Sequence, residues 1–363
     1  MSDKKLSFLG FAAVVSVVLA VAVSQFANKS KLTPAGTGYL LQGLDPATIT
    51  QIIVKQGGNT VTLNRKDNGF VVAEKSDYPA ATKIINNLIT SCLDIKTVEP
   101  YTEDKANYKD LGITEENMQG MITFYGSDGK IITGFIIGKE TESGKGNYFY
   151  GKRVNDNQVY VLRDVPWIQA NAIEYVISEL INLKKDSIDW VTVTSVKDSY
   201  SFVSEANGTE IKLQELPAGK KQKESECKQV FNAMTSLRFE DVMTESQAND
   251  LVFDRKFNCQ LKDSTLFSIK IAKKDADTYI KCSAEFTDKT QVRKEEGVES
   301  PEELQKKEAK LLAREKSQKL QETTSGWVYK IPSYLADNMT KPMTELVEDA
   351  NDVNATAGKV IQK

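Results

Sequence analysis

The stretch Gly134-Phe135-Ile136-Ile137-Gly138-Lys139 has the outline of a phosphate-binding loop, in which glycine-rich backbone cradles phosphates and a lysine reaches the terminal one. It is one residue short between its glycines, and Glu140 stands where Ser or Thr would bind magnesium, so it reads better as the end of a strand with a turn glycine. Neither Gly36-Thr37-Gly38 nor Gly144-Lys145-Gly146 continues into a dinucleotide fingerprint. Asp275-Ala276-Asp277 and the turn acid Asp156 lack the frame of a calcium loop. The chain has no histidine, which removes every His-based triad, His general base, zinc-hydrolase motif and haem ligand at once. Its four cysteines, Cys92, Cys227, Cys259 and Cys282, show neither Cys-x-x-Cys nor zinc spacing. Cys92 falls on a predicted helix stripe, and Cys259 and Cys282 on inward strand faces, so they read as core residues. A disulfide is chemically permitted outside the cytoplasm, yet the strand LFSIKIA would hold Cys259 and Cys282 two strands apart. Carboxylates are abundant, and no pair stands out as an acid–base couple. The expectation is therefore no catalytic, cofactor-binding or metal-binding residue, and no enzyme.

The elements that could position such residues sit in a 363-residue chain, enough for about two domains. A net charge of −3 excludes a generally basic, nucleic-acid-coating protein, and 40% hydrophobic residues supply a real core. Between Lys5 and Lys29 the sequence carries no charge, and Leu6 to Val23 is almost unbroken apolar sequence. At ~1.5 Å per residue such a helix spans a ~30 Å hydrocarbon core. The expectation is a head at 1–5, a transmembrane anchor at 6–28 and a linker at 29–38. The rival reading is a cleaved signal peptide with Ala20-Val21-Ala22 at the cleavage site, although the apolar run is longer than usual for one. Lys4 and Lys5 are matched by Lys29 and Lys31, so the flanking charge barely orients the span. Ala12, Ser16, Ala20 and Ser24 place small side chains on one helical face, a pattern that lets helices approach closely in lipid.

The rest of the chain contains one unit twice. ITQIIVKQ and TVTLNRKDNGFVV are alternating runs joined at a tight turn, followed by a helix with Ile85, Leu88, Ile89 and Cys92 at helical spacing. MITFYGSDGKIITGFIIG, NYFYGK and QVYVLR then read as a strand meander with Ser127-Asp128-Gly129 as a hairpin turn, and Trp167 to Leu180 as an amphipathic helix. The order recurs from Ile188: strands around Asn207-Gly208, a helix from Ser225 with Val230, Phe231, Met234 and Leu237, then FNCQL, LFSIKIA, YIKCSAEF and WVYKIP. Strands with period two and a single long helix per unit argue α+β. The expected fold is thus the transmembrane helix followed by two tandem similar lobes, 39–182 and 183–345, each an antiparallel sheet packed with a helix.

A Lys/Glu-rich insertion at 288–324 interrupts the second lobe. Ser300-Pro301-Glu302-Glu303 is a strong helix start, with Ser at the N-cap, Pro at N1 and Glu completing a capping box. The insertion reads as a decorated connection or as a protruding arm that touches a partner through Leu304, Leu311 and Leu312. The tail at 346–363 is expected to be disordered.

Gly43-Leu44-Asp45-Pro46 with Ile49-Thr50 and Ile52-Ile53-Val54 resembles the opening of the bacterial family catalogued as domain of unknown function 4340. Tyr108-Lys109-Asp110-Leu111-Gly112-Ile113, Phe135-Ile136-Ile137-Gly138, Tyr148-Phe149-Tyr150-Gly151 and Val159-Tyr160-Val161-Leu162 add to the resemblance. It covers most of 40–180 well and the second unit loosely, and its motifs are structural glycines and apolar strand residues. The resemblance implies a single-pass envelope protein associated with ABC-type transport systems that include gliding-motility-like auxiliary subunits. It assigns no catalytic residue. The leading expectation is a non-enzymatic accessory or scaffold subunit of such a transporter. It would be anchored in the inner membrane with its bulk on the periplasmic or extracytoplasmic side, contacting membrane or envelope proteins and no nucleic acid. The alternative is a ligand-binding module that captures a small molecule or glycan between its lobes, and a third reading is an envelope hydrolase using paired carboxylates.

Overall fold

The computed structural model describes residues 38–141, 147–205, 210–290 and 300–350. The chain divides into two compact units, with the boundary between Ile177 and Ser178.

The first unit is one ten-stranded antiparallel sheet. Its elements are β1 (Gly38–Tyr39), β2 (Gln51–Gln56), β3 (Asn59–Lys66), β4 (Gly69–Val72), β5 (Tyr78–Pro79), α1 (Thr82–Leu93), β6 (Lys96–Thr102), β7 (Gly120–Tyr125), β8 (Ile131–Glu140), β9 (Phe149–Arg153) and β10 (Val159–Arg163). The strand order is β1-β6-β10-β9-β8-β7-β2-β3-β4-β5. Strands β2 and β3 alternate, with Ile52, Val54, Val61 and Leu63 buried, and α1 buries Ile85, Ile89, Cys92 and Leu93. In β7 and β8 the buried residues run consecutively, as they must where both faces of a sheet are covered. The second covering is a loop. Leu111 and Ile113 pack with Met121, Ile136 and Val159 into a small core flanked by Tyr108 and Tyr150. The loop crosses the sheet at Gly138, where a Cβ would collide with the Leu111 carbonyl, and Lys139 N–H donates to that carbonyl at 2.9 Å. The segment resembling a phosphate loop is therefore the interior of β8.

The second unit contains β11 (Glu179–Asn182), β12 (Ile188–Thr194), β13 (Ser199–Glu205), β14 (Glu210–Leu213), β15 (Lys220–Gln222), α2 (Glu224–Phe231), β16 (Ser236–Arg238), β17 (Asp241–Thr244), β18 (Arg255–Leu261), β19 (Thr265–Lys274) and β20 (Asp277–Phe286). They are followed by α3 (Pro301–Thr324), β21 (Trp327–Ile331), α4 (Ser333–Met339), α5 (Met343–Leu346) and β22 (Val347–Asp349). Eight strands form a sheet in the order β14-β13-β12-β18-β19-β20-β21-β17, and β11-β16 and β15-β22 form two-stranded sheets. Read from the other edge, β17-β21-β20-β19-β18-β12-β13-β14 repeats the path β6-β10-β9-β8-β7-β2-β3-β4 of the first unit. One strand order thus serves both units.

Several expectations are corrected. The anchor at 6–28, with Ala12, Ser16, Ala20 and Ser24, lies outside the described residues. Among the described residues no helix is long and apolar enough to cross a membrane. The longest, α3 at 24 residues, is dense with Lys and Glu. What the structure shows is a mixed α+β fold of antiparallel sheets and short helices, and the anchored architecture gives way to it. No helix of the described residues supports the single-pass inner-membrane location or the membrane-mediated partnerships expected from that anchor. The helix expected over Trp167–Leu180 is an irregular segment with one 3-10 turn, Ala172–Tyr175, followed by β11. Asn171 caps that turn by accepting from Ile173 N–H, and the Tyr175 hydroxyl donates to the Gln169 carbonyl at 2.7 Å, so local polar bonds outweigh the apolar period. The insertion helix is seated as well as solvated. Strand β21 pairs with β20 only over Thr278–Ile280, and beyond it α3 lies along the strand with Ala313, Ser317 and Thr324 buried. There Gln321 Oε1 accepts from Ala284 N–H at 3.1 Å, where a neighbouring strand would otherwise pair. Of the tail at 346–363, expected to be disordered, Leu346 ends α5 and Val347–Asp349 form β22, and residues 351–363 lie outside the described ones.

Candidate functional site

A groove of about 950 Å³ lies in the second unit, built from segments far apart in sequence. One wall is β15 and the first turn of α2, and the other is α5 and β22, which pairs antiparallel with β15. The chain returns to β15 because its apolar residues need cover: Leu335, Ala336, Met339, Leu346 and Val347 are all buried. Backbone closes the join, with Lys223 N–H donating to the Leu346 carbonyl at 2.8 Å. Under the groove the buried Cys227 thiol donates to the same carbonyl at 3.6 Å.

The groove is lined by charges of both signs. Lys221 pairs with Glu348 at 3.0 Å, and Lys220 with Asp349 at 2.8 Å, so both charged cross-strand pairs of the small sheet are neutralised. Lys341 pairs with Glu226 and donates to Gln229 Oε1 at 2.7 Å. The hydrogen bond that Lys341 donates to Glu226 holds that carboxyl below its usual range. Glu224 accepts from Gln222 Nε2 at 2.7 Å. Among the described residues, Lys223 and Glu345 make no ion pair. The groove therefore presents one ammonium and one carboxylate available to a ligand. It is poorly equipped for hydrolysis: Ser225 has no imidazole nearby, and a carboxylate kept ionised by a lysine is a weak proton acceptor.

A smaller pocket of about 300 Å³ in the first unit is lined by Ile132, Thr133, Gly134, Arg153, Asn155 and Asp156. Its charges serve the β9–β10 turn. Arg153 donates to Asp156 Oδ2 through Nη2 at 2.7 Å and Nε at 3.2 Å. The Gln158 N–H and then Arg153 hold the Asp156 carboxyl below its ordinary value. Beside it Lys152, 7% exposed, donates to the carbonyls of Asp156 at 2.7 Å, Arg153 at 3.2 Å and Val154 at 3.4 Å, with the Tyr108 ring 5.5 Å away. Burial lowers its pKa, yet all three ammonium protons are engaged, so the side chain is a strut rather than a nucleophile.

The other candidates are placed as follows. Leu304, Leu311 and Leu312 are about half exposed on α3, away from its buried Ala313–Thr324 stripe. Cys92, Cys227, Cys259 and Cys282 are buried free thiols. Cys259 pairs with Phe267 and Cys282 with Ile269, which puts β19 between them. Asp277, from the Asp275-Ala276-Asp277 turn, pairs with Lys330 at 2.8 Å. No cluster of three or more potential metal ligands occurs among the described residues. The sequence reading missed the groove because β15 and β22 are too short to show any period. Its only trace in the sequence is charge, with Lys220, Lys221 and Lys223 on one segment and Glu345, Glu348 and Asp349 on the other.

The family model described as a domain of unknown function (DUF4340) matches residues 71–256, just over half of the chain. The chain belongs to this family. The DUF4340 match runs from β4 to the start of β18, across the boundary between the units, and does not include the Gly43–Val54 opening. It includes the Tyr108–Ile113 loop, whose Tyr108 lies over Lys152 and whose Leu111 receives Lys139, and one wall of the groove. The family's description names no activity, and nothing in the match carries a bacterial envelope or a transporter. No curated protein and no solved structure matches the chain. The expected role as a transporter accessory subunit is corrected on this basis, since it rested on the anchor and on that family context.

Proposed function

We propose that this protein is a non-enzymatic binding module whose second unit holds a small polar ligand bearing both charges. The observation that supports this is the groove of about 950 Å³ in which, among the described residues, Lys223 and Glu345 make no ion pair while their charged neighbours do. A lysine and a carboxylate that already pair with each other must give up that pair to contact a ligand, so they add less to binding than unpaired groups do. Lys223 and Glu345 can each give a new contact, and a ligand with a carboxylate at one end and an ammonium at the other satisfies both. The reading places the ligand within one unit, on a surface the C-terminal segment completes.

The test is calorimetric titration of the full chain with a series of amino acids and short peptides, alongside amines and carboxylates of matched size. The expected result is saturable binding of zwitterions only. It should weaken about tenfold in Lys223→Ala/Glu345→Ala with no fall in Tm. Equal binding by the variant, or no zwitterion bound at millimolar concentration, overturns the reading.

A further inference from the structure

The outward face of the eight-stranded sheet carries a register coincidence that the groove does not use. Lys256 on β18 stands directly opposite Lys270 on β19, and Lys270 directly opposite Lys281 on β20. Three lysines thus form a row across adjacent strands, which lie ~4.8 Å apart. Like charges directly opposite one another weaken a strand pair. Lys281 is answered by Glu245 at 3.1 Å and lies over the Phe253 ring, but Lys256 and Lys270 are exposed and make no ion pair among the described residues.

The next outward row is of a different kind. Ser201, Thr192, Asn258, Ser268 and Ser283 are opposite one another in turn across β13, β12, β18, β19 and β20. All are half-buried. Ser268 Oγ donates to Asn258 Oδ1 at 2.8 Å, which leaves the Asn258 amide nitrogen to donate elsewhere. Cationic and hydroxyl rows therefore run side by side, perpendicular to the strands.

We propose that this face binds a linear acidic polysaccharide, with sugar carboxylates on the lysine row and ring hydroxyls on the Ser/Thr/Asn row. Charge complementarity selects an anion, and the second row selects among anions. A single-stranded nucleic acid needs aromatic platforms for its bases beside the phosphate track, and the neighbouring row offers hydroxyls and a carboxamide instead. An anionic bilayer surface is gripped by apolar side chains as well as lysines, and neither row contains one. A polyuronate uses both rows at once. This site is independent of the groove and of the ligand proposed for it.

The experiment uses the full chain at low ionic strength, with a defined-length oligogalacturonate as probe and its methyl ester as the uncharged control. The arms for competing anions are a single-stranded oligonucleotide of equal charge and vesicles containing phosphatidylglycerol. Saturable binding of the acid is expected, about tenfold weaker for the ester and for Lys256→Gln/Lys270→Gln. The Gln variant should melt no lower than the parent, because it relieves a like-charge pair, and Lys256→Arg/Lys270→Arg should keep the affinity. Lys223→Ala/Glu345→Ala should bind the oligogalacturonate as the parent does, and loss there would move the site off the sheet and overturn the proposal. It is equally overturned if acid and ester bind alike, if the Gln variant binds as the parent does, or if oligonucleotide or vesicles bind more tightly than the uronate.

Discussion

The side-chain amide nitrogen of Gln222 donates to the backbone carbonyl of Ile211 at 2.8 Å. The amide oxygen accepts from the Leu213 N–H at 2.9 Å, so one carboxamide fills the place of a peptide unit on the edge of β14. It also joins the small β15-β22 sheet to the large one and so fixes one wall of the groove.

Replacing Gln222 with Leu should leave a carbonyl and an N–H of β14 without partners at a half-buried edge. A loss of about 1–3 kcal/mol in urea unfolding is expected. Gln222→Glu keeps the acceptor and removes the donor, so it should fall between the parent and the Leu variant. Equal stability of all three would show that solvent replaces the amide at no cost.

Lys152 holds three carbonyls of the β9–β10 turn on one ammonium. Lys152→Met retains the apolar stem and removes the charge, and should destabilise the first unit by about 1–3 kcal/mol. Amide exchange should rise first around Asn155–Gln158. Protection unchanged there would mean that the turn holds without its strut.

The buried thiols predict a loss of stability at alkaline pH. Burial pushes the Cys227 thiol up to about 11 and those of Cys259 and Cys282 up to about 12, from an ordinary 9.0, and raises Cys92 as well. The unfolded chain therefore gives up these protons first. The stabilisation is complete below about pH 9 and is lost as pH rises through the folded-state values, at about 1.4 kcal/mol per pH unit for each thiol. Urea melts between pH 8 and 10.5 should show the decline, with a shallower slope in Cys227→Ser. A thiol reagent should label none of the four cysteines in the folded chain and all of them in urea.

Gly138→Ala should be among the most damaging small substitutions in the first unit, because its Cβ meets the Leu111 carbonyl rather than a yielding side chain. Overpacking of this kind costs about 1–3 kcal/mol. Gly129→Ala, at a hairpin tip with open space around it, meets only the strain of φ +72° and should cost less. A reversal of that order in thermal melts would place the tight contact elsewhere.

Features set by neighbours in sequence were legible before the structure. The chain turns at Asp67-Asn68 and at Ser127-Asp128-Gly129, with positive φ at Asp67 and Gly129, and Ser300 with Glu303 forms the capping box that starts α3. Period two located the inward faces: Phe257 and Cys259, and Ile280 and Cys282, are buried as their alternation requires. What was not legible depends on register or on very short elements. Trp167 and Ile177 are exposed despite the apolar period around them, because the Asn171 cap and the Tyr175 hydroxyl fix that backbone locally. The groove needs β15 to meet β22, and no local pattern joins residues 220–222 to residues 347–349. The lysine row is invisible until β18, β19 and β20 are aligned residue by residue.

The two units share a strand path but not the interval before its return stroke. In the first, β9 and β10 are separated by only about five residues, whereas about forty lie between β20 and β21. Ring-closure entropy grows by ~0.6 kcal/mol per doubling of length, so the later strand must overcome roughly 2 kcal/mol more before it can dock. The sheet of the second unit is consequently expected to finish assembling after that of the first. During that delay the bare flank of β20 depends on the Gln321 carboxamide for shelter from intermolecular pairing.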